Sequence, residues 1–200
     1  MSKSKWMFLI AVVFITLSCG GDEVDYYPKP MGFLRLDFPE RNYVNYASEC
    51  NYGFEIPSYF SVIDKPGTCN KDILIERFNA SLFLTYIPVD TNLNMNIEYS
   101  RKLVYDHSIK ADDIQEAVVK NEELNSYGVK YNIVGNAASP YQFYMTDSTD
   151  HFLRGALYFN VAPNYDSLKP SLDYIITDID HLIESVNWNE YQAPDSLEAL

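Results

Sequence analysis

The sequence of 200 residues has few basic residues, few glycines and few cysteines. Its 15 lysines and arginines stand against 28 aspartates and glutamates, and the resulting formal charge of −13 disfavours nucleic acid and anionic lipid headgroups as partners. The eight glycines are scattered and form no glycine-rich phosphate-binding loop. These shortages exclude the common nucleic-acid-binding and phosphate-loop classes.

The chain also lacks the residue patterns of common hydrolases and metalloenzymes. Its three histidines, His107, His151 and His181, do not have the spacing of a zinc site, although Asp178 and Glu184 flank His181 at helical spacing. No serine has the nucleophile-elbow pattern, and the acidic pairs are too sparse for a calcium loop. We therefore expect no catalytic set, no metal and no cofactor, and a protein that is not an enzyme.

The N-terminus has the organisation of a lipoprotein signal peptide. Two lysines precede an apolar run from Trp6 to Leu17, which is shorter than the roughly 20 residues of a membrane-spanning helix. Ser18 and Cys19 follow, and lipoprotein processing requires a small residue before a cysteine that accepts diacylglycerol. We predict that residues 1–18 are removed and that acyl chains such as palmitate on Cys19 hold the protein at a membrane. A conventional secretory signal with an incidental cysteine is the alternative.

The mature chain is predicted to consist of a spacer, one domain and a tail. Residues 19–30 can bury little apolar surface and are interpreted as a flexible spacer. Residues 31–188 are predicted to form a single domain, and residues 189–200 an acidic tail without periodicity. Cys50 and Cys69 are the remaining cysteines, and an exported compartment permits them to form a disulfide. Two separate buried thiols are the alternative.

Short runs rich in β-branched and aromatic residues recur along the chain and predict strands. The predicted strands are Gly32–Phe38, Tyr52–Ile56, Phe60–Ile63, Ile73–Arg77, Ser81–Ile87, Gln115–Lys120, Gly128–Gly135, Gln142–Thr146 and Phe152–Asn160. The nearly continuous apolar centre of the run at 81–87 predicts a central strand that is covered on both faces. The cluster of Asp, Ser and Thr at 147–150 favours a hairpin turn, so the strands on either side should pair antiparallel.

Two helices are predicted between and after these strands. The first runs from Asn94 to Ser108, and its predicted buried face carries Ile97, Arg101, Val104 and Tyr105. The second follows Pro170 and has a continuous apolar stripe. Its opposite face carries four acidic residues, Asp173, Asp178, Asp180 and Glu184. The order of elements predicts an α+β fold, a mostly antiparallel sheet with two main helices packed on it, similar in order to the Mog1/PsbP-like fold.

Aromatic residues are abundant, with 17 tyrosines, 11 phenylalanines and 2 tryptophans. A tyrosine hydroxyl requires a partner or water, so some of these residues are expected at the surface, where tyrosine favours contacts with other proteins. Small side chains at 136–140 allow a second backbone to approach, and nearby tyrosines can serve as anchors. The predicted interaction surface comprises Asn136, Ala138, Ser139, Pro140, Tyr141, Tyr144, Asp147 and His151. A tight loop that only packs against the sheet is the alternative.

Four segments carry a resemblance to a known family: Tyr27–Pro39, Arg101–Asp112, Gly135–Pro140 and Thr146–Phe159. Together they resemble the gliding-motility lipoprotein family GldD of gliding Gram-negative bacteria. The resemblance implies a non-enzymatic envelope protein of the gliding and type IX secretion machinery.

This resemblance leads us to expect a lipid-anchored scaffold or assembly factor that contacts other envelope proteins. We expect it at the outer membrane, facing the periplasm. A periplasmic lipoprotein that binds a small ligand or the cell wall is one alternative, and an enzyme with a site assembled from distant loops is another. A flat aromatic patch at 135–140 and 147–151 would favour a partner, and a deep polar pocket there would favour a ligand.

Overall fold

The computed structural model describes residues 37–188. The predicted signal peptide, spacer and acidic tail, and with them Cys19, lie outside the described residues. The predicted strand Gly32–Phe38 also lies outside them, apart from Asp37 and Phe38, which belong to no strand.

Residues 37–188 form nine strands and two α-helices. The strands are β1 Tyr43–Ala47, β2 Gly53–Pro57, β3 Ser61–Asp64, β4 Lys71–Ile75, β5 Ala80–Pro88, β6 Ala111–Asn121, β7 Ser126–Gly135, β8 Tyr141–Thr146 and β9 His151–Phe159. The helices are α1 Leu93–Tyr105 and α2 Tyr165–Ser185. Two 3₁₀ turns, Glu76–Phe78 and Asp106–Ile109, follow β4 and α1. None of the helices in this part of the chain has both the length and the apolar character that a membrane crossing requires.

Seven strands form one antiparallel sheet in the order β3-β4-β5-β9-β8-β7-β6, and β1 pairs with β2 in a separate antiparallel ribbon. Side chains alternate between the two faces of the sheet. The apolar stripe of α2 packs with one face into the larger core, which includes Leu172, Ile179, Leu153 and Leu157. Val104 of α1 belongs to a smaller core on the other face. The predicted α+β class with a mostly antiparallel sheet and two packed helices is confirmed.

Two strand predictions need correction. β1 is not among the predicted strands, because its side chains are only half-buried or exposed and do not alternate between apolar and polar. Its pairing with β2 makes it a strand. The run at 81–87 is an interior strand of the sheet, as predicted, but the prediction that it is covered on both faces is only partly correct. Phe83 of β5 is 37% exposed, because α1 does not extend over this part of its face.

The predicted buried face of α1 is also partly wrong. Val104 is buried and Ile97 packs partly buried against the smaller core, as predicted, whereas Arg101 and Tyr105 are exposed. The other buried residues of the helix are Asn96 and Ser100. Tyr105 instead reaches the edge strand β6, where its hydroxyl donates to a Glu116 carboxylate oxygen. The hydroxyl of Tyr105 thus has a hydrogen-bond partner although the ring stays outside the core.

Candidate functional site

The predicted interaction surface does not form one patch. Loop 136–140 leads into β8 and turn 147–150 leaves it, so the six residues of β8 separate the two by roughly 20 Å at about 3.4 Å per residue. The two segments therefore do not form the single interaction surface that was predicted, because the strand between them is extended. They are two surfaces at opposite ends of the sheet.

Loop 136–140 exposes only part of the predicted surface. It follows Gly135, whose φ of 113° is a backbone conformation that favours glycine. Asn136 and Ala138 are exposed, whereas Ser139 and Pro140 are buried. Asn136 Oδ1 accepts a hydrogen bond of 2.9 Å from the backbone N–H of Tyr165, which attaches the loop to the first residue of α2.

The two tyrosines that we expected to be surface anchors are core residues. Tyr141 is almost fully buried and donates its hydroxyl to Asp180 of α2. Tyr144 is also buried and stacks on Phe152 with the ring centroids 5.3 Å apart. All six residues of β8 are buried, since a helix covers each face of the sheet at this strand. Neither ring is available to a partner of the folded protein.

Turn 147–150 is organised by the carboxylate of Asp147. Its Oδ1 accepts backbone N–H groups of Thr149, Asp150 and His151 at 2.9 to 3.0 Å. Burial by itself raises the pKa of Asp147, but these amides and the Thr149 hydroxyl outweigh it and hold the pKa below its usual value. His151 is fixed beside the turn, because its Nδ1 lies 2.7 Å from the Tyr86 hydroxyl and its ring stacks on Trp188.

We expect Asp147→Asn to lower the free energy of unfolding at neutral pH by about 1 kcal/mol, because an amide oxygen accepts the same N–H groups less strongly. The carboxylate of the native protein has a folded pKa below its unfolded value. It therefore stabilises the fold above the unfolded pKa of about 4, and this contribution is lost as the pH falls through the folded pKa. Urea unfolding of both proteins at several pH values should show the difference shrinking with acidification. A difference that does not depend on pH would contradict this account.

The cleft under loop 136–140 is too small for a ligand. It is lined mainly by apolar residues that include Ala138, Pro140, Val161 and Leu168, and its volume of about 20 Å³ holds about one water molecule. The predicted surface therefore contains no deep polar pocket at this loop.

A larger polar groove of about 430 Å³ lies between β1 and the β3–β4 connection. Beside it the structure joins Cys50 and Cys69 in a disulfide with a Cα–Cα distance of 5.7 Å. The buried Lys71 Nζ lies 2.8 Å from Asp64 Oδ1, which also accepts the Tyr46 hydroxyl at 2.7 Å. These two hydrogen bonds, the one from Lys71 first, lower the pKa of Asp64. The ammonium of Lys71 and the carboxylate of Asp64 thus neutralise each other within the groove.

No group of three or more His, Cys, Asp and Glu side chains among residues 37–188 could hold a metal ion. The flanking residues of His181 do not form a ligand set with it. Its Nε2 lies instead 2.6 Å from Glu55 Oε2, and its ring stacks on Tyr43.

A buried carboxylate on α2, Asp178, is the main feature that was not predicted from the sequence. Asp178 was expected on the exposed acidic face of the helix, but it is fully buried. Its Oδ1 accepts Arg41 Nε and the Tyr43 hydroxyl, each at 2.8 Å, and its Oδ2 accepts the Tyr59 hydroxyl. Burial, followed by the bond to Asp178, raises the pKa of Tyr43 to about 12, so the phenol remains a donor at neutral pH.

One sequence signal indicates the burial of Asp178. The residue follows Ile175 by three positions and precedes Leu182 by four, which places it inside the apolar stripe of the helix. Its partners lie about 120 to 140 residues away in the sequence and cannot be identified from helical spacing.

Comparison with known families yields one finding. A family model described as gliding motility lipoprotein GldD matches residues 23–188, a range that includes every residue the structure describes. A search of curated proteins finds no match.

Proposed function

The chain belongs to the gliding motility lipoprotein GldD family, and from this premise we propose that it is a lipid-anchored scaffold or assembly factor of the gliding and type IX secretion machinery. Membership makes it a lipoprotein of the cell envelope. We further propose that acylated Cys19 anchors it in the outer membrane, that the fold faces the periplasm, and that it acts through contacts with other envelope proteins without catalysing a reaction.

The shallow surface at loop 136–140 is the observation that best supports a partner-binding role. Asn136 and Ala138 are exposed there, and so is Val161 on the facing connection between β9 and α2. A cleft of about 20 Å³ cannot enclose a small molecule, whereas small exposed side chains let another protein approach closely.

We expect Ala138→Arg to weaken partner binding about 30-fold and to impair gliding, because a long charged side chain at a close contact keeps the two surfaces apart. The thermal midpoint should stay nearly unchanged, since Ala138 is exposed. Ala117→Arg, at an exposed alanine of β6, is the matched control because it adds the same charge elsewhere on the sheet. Gliding speed, crosslinked co-purification and thermal unfolding are to be measured for both variants.

Two results would contradict this role for the loop. Normal gliding by a folded Ala138→Arg protein would remove the loop from the contact surface. A large fall in the thermal midpoint would show that the loop packs against the sheet and that its side chains serve the fold.

The polar groove beside the disulfide supports a second candidate, a lipoprotein that binds a small ligand or the cell wall. Its volume of about 430 Å³ falls in the range of small-molecule sites, and Lys65 and Asp64 line it. Calorimetry with soluble peptidoglycan fragments distinguishes this candidate from the first, since a scaffold without a ligand site should give no heat of binding.

A further inference from the structure

Arg154 is a half-buried cation on β9 with no carboxylate partner among residues 37–188. It pairs with Tyr144 in the sheet register, and Tyr144 belongs to the core on the α1 side, so both side chains lie on that face. Arg154 Nη2 donates to Gln142 Oε1 at 2.5 Å. Burial lowers the pKa of Arg154, and the phenols of Tyr158 and Tyr99 partly oppose this.

Gln142, the hydrogen-bond partner of Arg154, has an unsatisfied donor of its own. The residue is almost fully buried, its Oε1 is taken by Arg154, and its Nε2 has no acceptor in the described part of the chain. A buried donor without an acceptor is costly, and here it is retained beside the bond by which Gln142 orients Arg154. Gln142 lies beneath the surface, so the part-exposed guanidinium of Arg154 is the group that a partner can reach. The ligand that suits a guanidinium is a carboxylate, which an arginine binds with two parallel hydrogen bonds.

Exposed apolar side chains lie on the same face of the sheet. A row of directly paired residues runs from Gln142 through Ala156 to Phe83 and on to Asp72 and Ile63. Phe83 is 37% exposed, and Ile63 at the edge of the sheet is exposed as well. A single carboxylate ligand would not need this apolar surface, whereas a protein partner would bury it.

Helix α1 contributes to the same region. Tyr99 is 58% exposed, and Met95, one turn earlier on the helix, is also exposed. His107, in the turn after α1, lies close enough to Arg154 that burial first and then the Arg154 charge lower its pKa. The segments Arg101–Asp112 and Thr146–Phe159, far apart in the sequence, therefore meet at Arg154.

We propose that Arg154, oriented by Gln142, binds an aspartate or glutamate side chain of a partner protein, with Ile63, Phe83, Met95 and Tyr99 as the apolar surface around it. We call these six residues the Arg154 site. Because the chain carries a net charge of −13, a broadly acidic partner would be repelled. The site therefore fits a partner that presents one carboxylate on an apolar or basic surface. This inference rests on the proposed scaffold function.

The test is site-specific photocrosslinking of the full-length lipoprotein in cells. A photoreactive residue in place of Tyr99 should capture one envelope protein, and Arg154→Gln should reduce that capture about 30-fold, because the partner's carboxylate then stays buried without its cation. Arg154→Lys should give a smaller loss, since lysine keeps the charge but lacks the planar fork. A photoreactive residue at Val118, 82% exposed at the far edge of the same face, is the matched control.

Charge exchange gives the sharper result. Arg154→Glu should lose capture of the partner. Replacement of the partner's acidic residue by arginine should then restore it. Capture at Tyr99 that does not exceed capture at Val118, or that is unaffected by Arg154→Gln, overturns the proposal. Thermal unfolding verifies that each variant folds. If the Arg154 variants do not fold, Met95→Ala, at an exposed position of the site, repeats the binding test with the probe at Tyr99.

Failure of the site and failure of the scaffold function give different results. A probe at Ala138 that captures a partner when the Tyr99 probe captures none keeps the scaffold function and overturns the Arg154 site. Benzoate, titrated into the purified lipoprotein, should shift the NMR signal of the Arg154 Nε–H group even if no partner is captured. No shift with benzoate overturns the site whatever the crosslinking shows.

Discussion

Asp178→Ala is expected to lower the free energy of unfolding by about 3 kcal/mol. The substitution leaves the Arg41 guanidinium and the hydroxyls of Tyr43 and Tyr59 without their shared acceptor. The loss should lie at the lower end of the range for buried ion pairs, because 35% of the Arg41 side chain is exposed and water can solvate it again. At about 2–4 °C per kcal/mol for a domain of this size, the thermal midpoint should fall by roughly 10 °C.

Asp173→Ala is the matched control, since it removes a carboxylate from the same helix. Asp173 is exposed and its carboxylate pairs with Lys169 at 2.8 Å, so we expect a change below about 0.5 kcal/mol. Denaturant unfolding of the native protein and both variants measures the two effects. Equal losses of unfolding free energy in the two variants would mean that the buried Asp178 carboxylate stabilises the fold no more than the exposed Asp173 carboxylate does.

Asp178 and its partners Arg41, Tyr43 and Tyr59 form a cluster that attaches the segment before β1 to α2. Phe38 stacks on Tyr174 with ring centroids 4.4 Å apart, and the Tyr174 hydroxyl donates to the Pro39 carbonyl oxygen. The Arg41 guanidinium lies 4.1 Å from the centre of the same Tyr174 ring. Asp178→Ala should therefore loosen residues 38–41 before the sheet unfolds, and amide hydrogen exchange should detect this as faster exchange in that segment.

Cys19→Ala is expected to remove the lipid anchor and to yield a soluble or unprocessed form of the protein. Acyl chains on Cys19 are the proposed anchor, and an alanine at this position cannot accept them. The thermal midpoint of the domain should stay unchanged, because Cys19 precedes the proposed spacer and contributes nothing to the core of the proposed domain, residues 31–188. Palmitate labelling and membrane fractionation measure the loss of the anchor, and gliding should stop although the protein folds.

A cysteine control separates lipidation from general thiol chemistry. Replacing Cys50 and Cys69 together removes a disulfide worth about 3 kcal/mol in the chain-entropy model, yet it should leave labelling intact. Labelling that persists equally in Cys19→Ala would refute acylation at this residue.

Local patterns in the sequence determined the elements of the fold. The apolar stripe of α2, the strand runs and the turn at 147–150 depend on residues close together in the chain, so their periodicity and turn chemistry could be read directly. The turn does join β8 and β9 as an antiparallel hairpin. β1 could not be predicted, because it is stabilised by pairing with β2 and has no local sequence pattern of a strand.

Only the tertiary structure decided which polar groups meet. Periodicity indicates that a side chain faces the core, but it does not reveal the partner that a distant segment supplies; Asp178 finds Arg41 across 137 positions. The same reason explains the candidate sites. The sequence placed Tyr141 at a surface because it followed small residues, whereas the packing of α2 over β8 buried it against Asp180. Arg154 and Gln142 became neighbours through the register of two strands, which no spacing along the chain records.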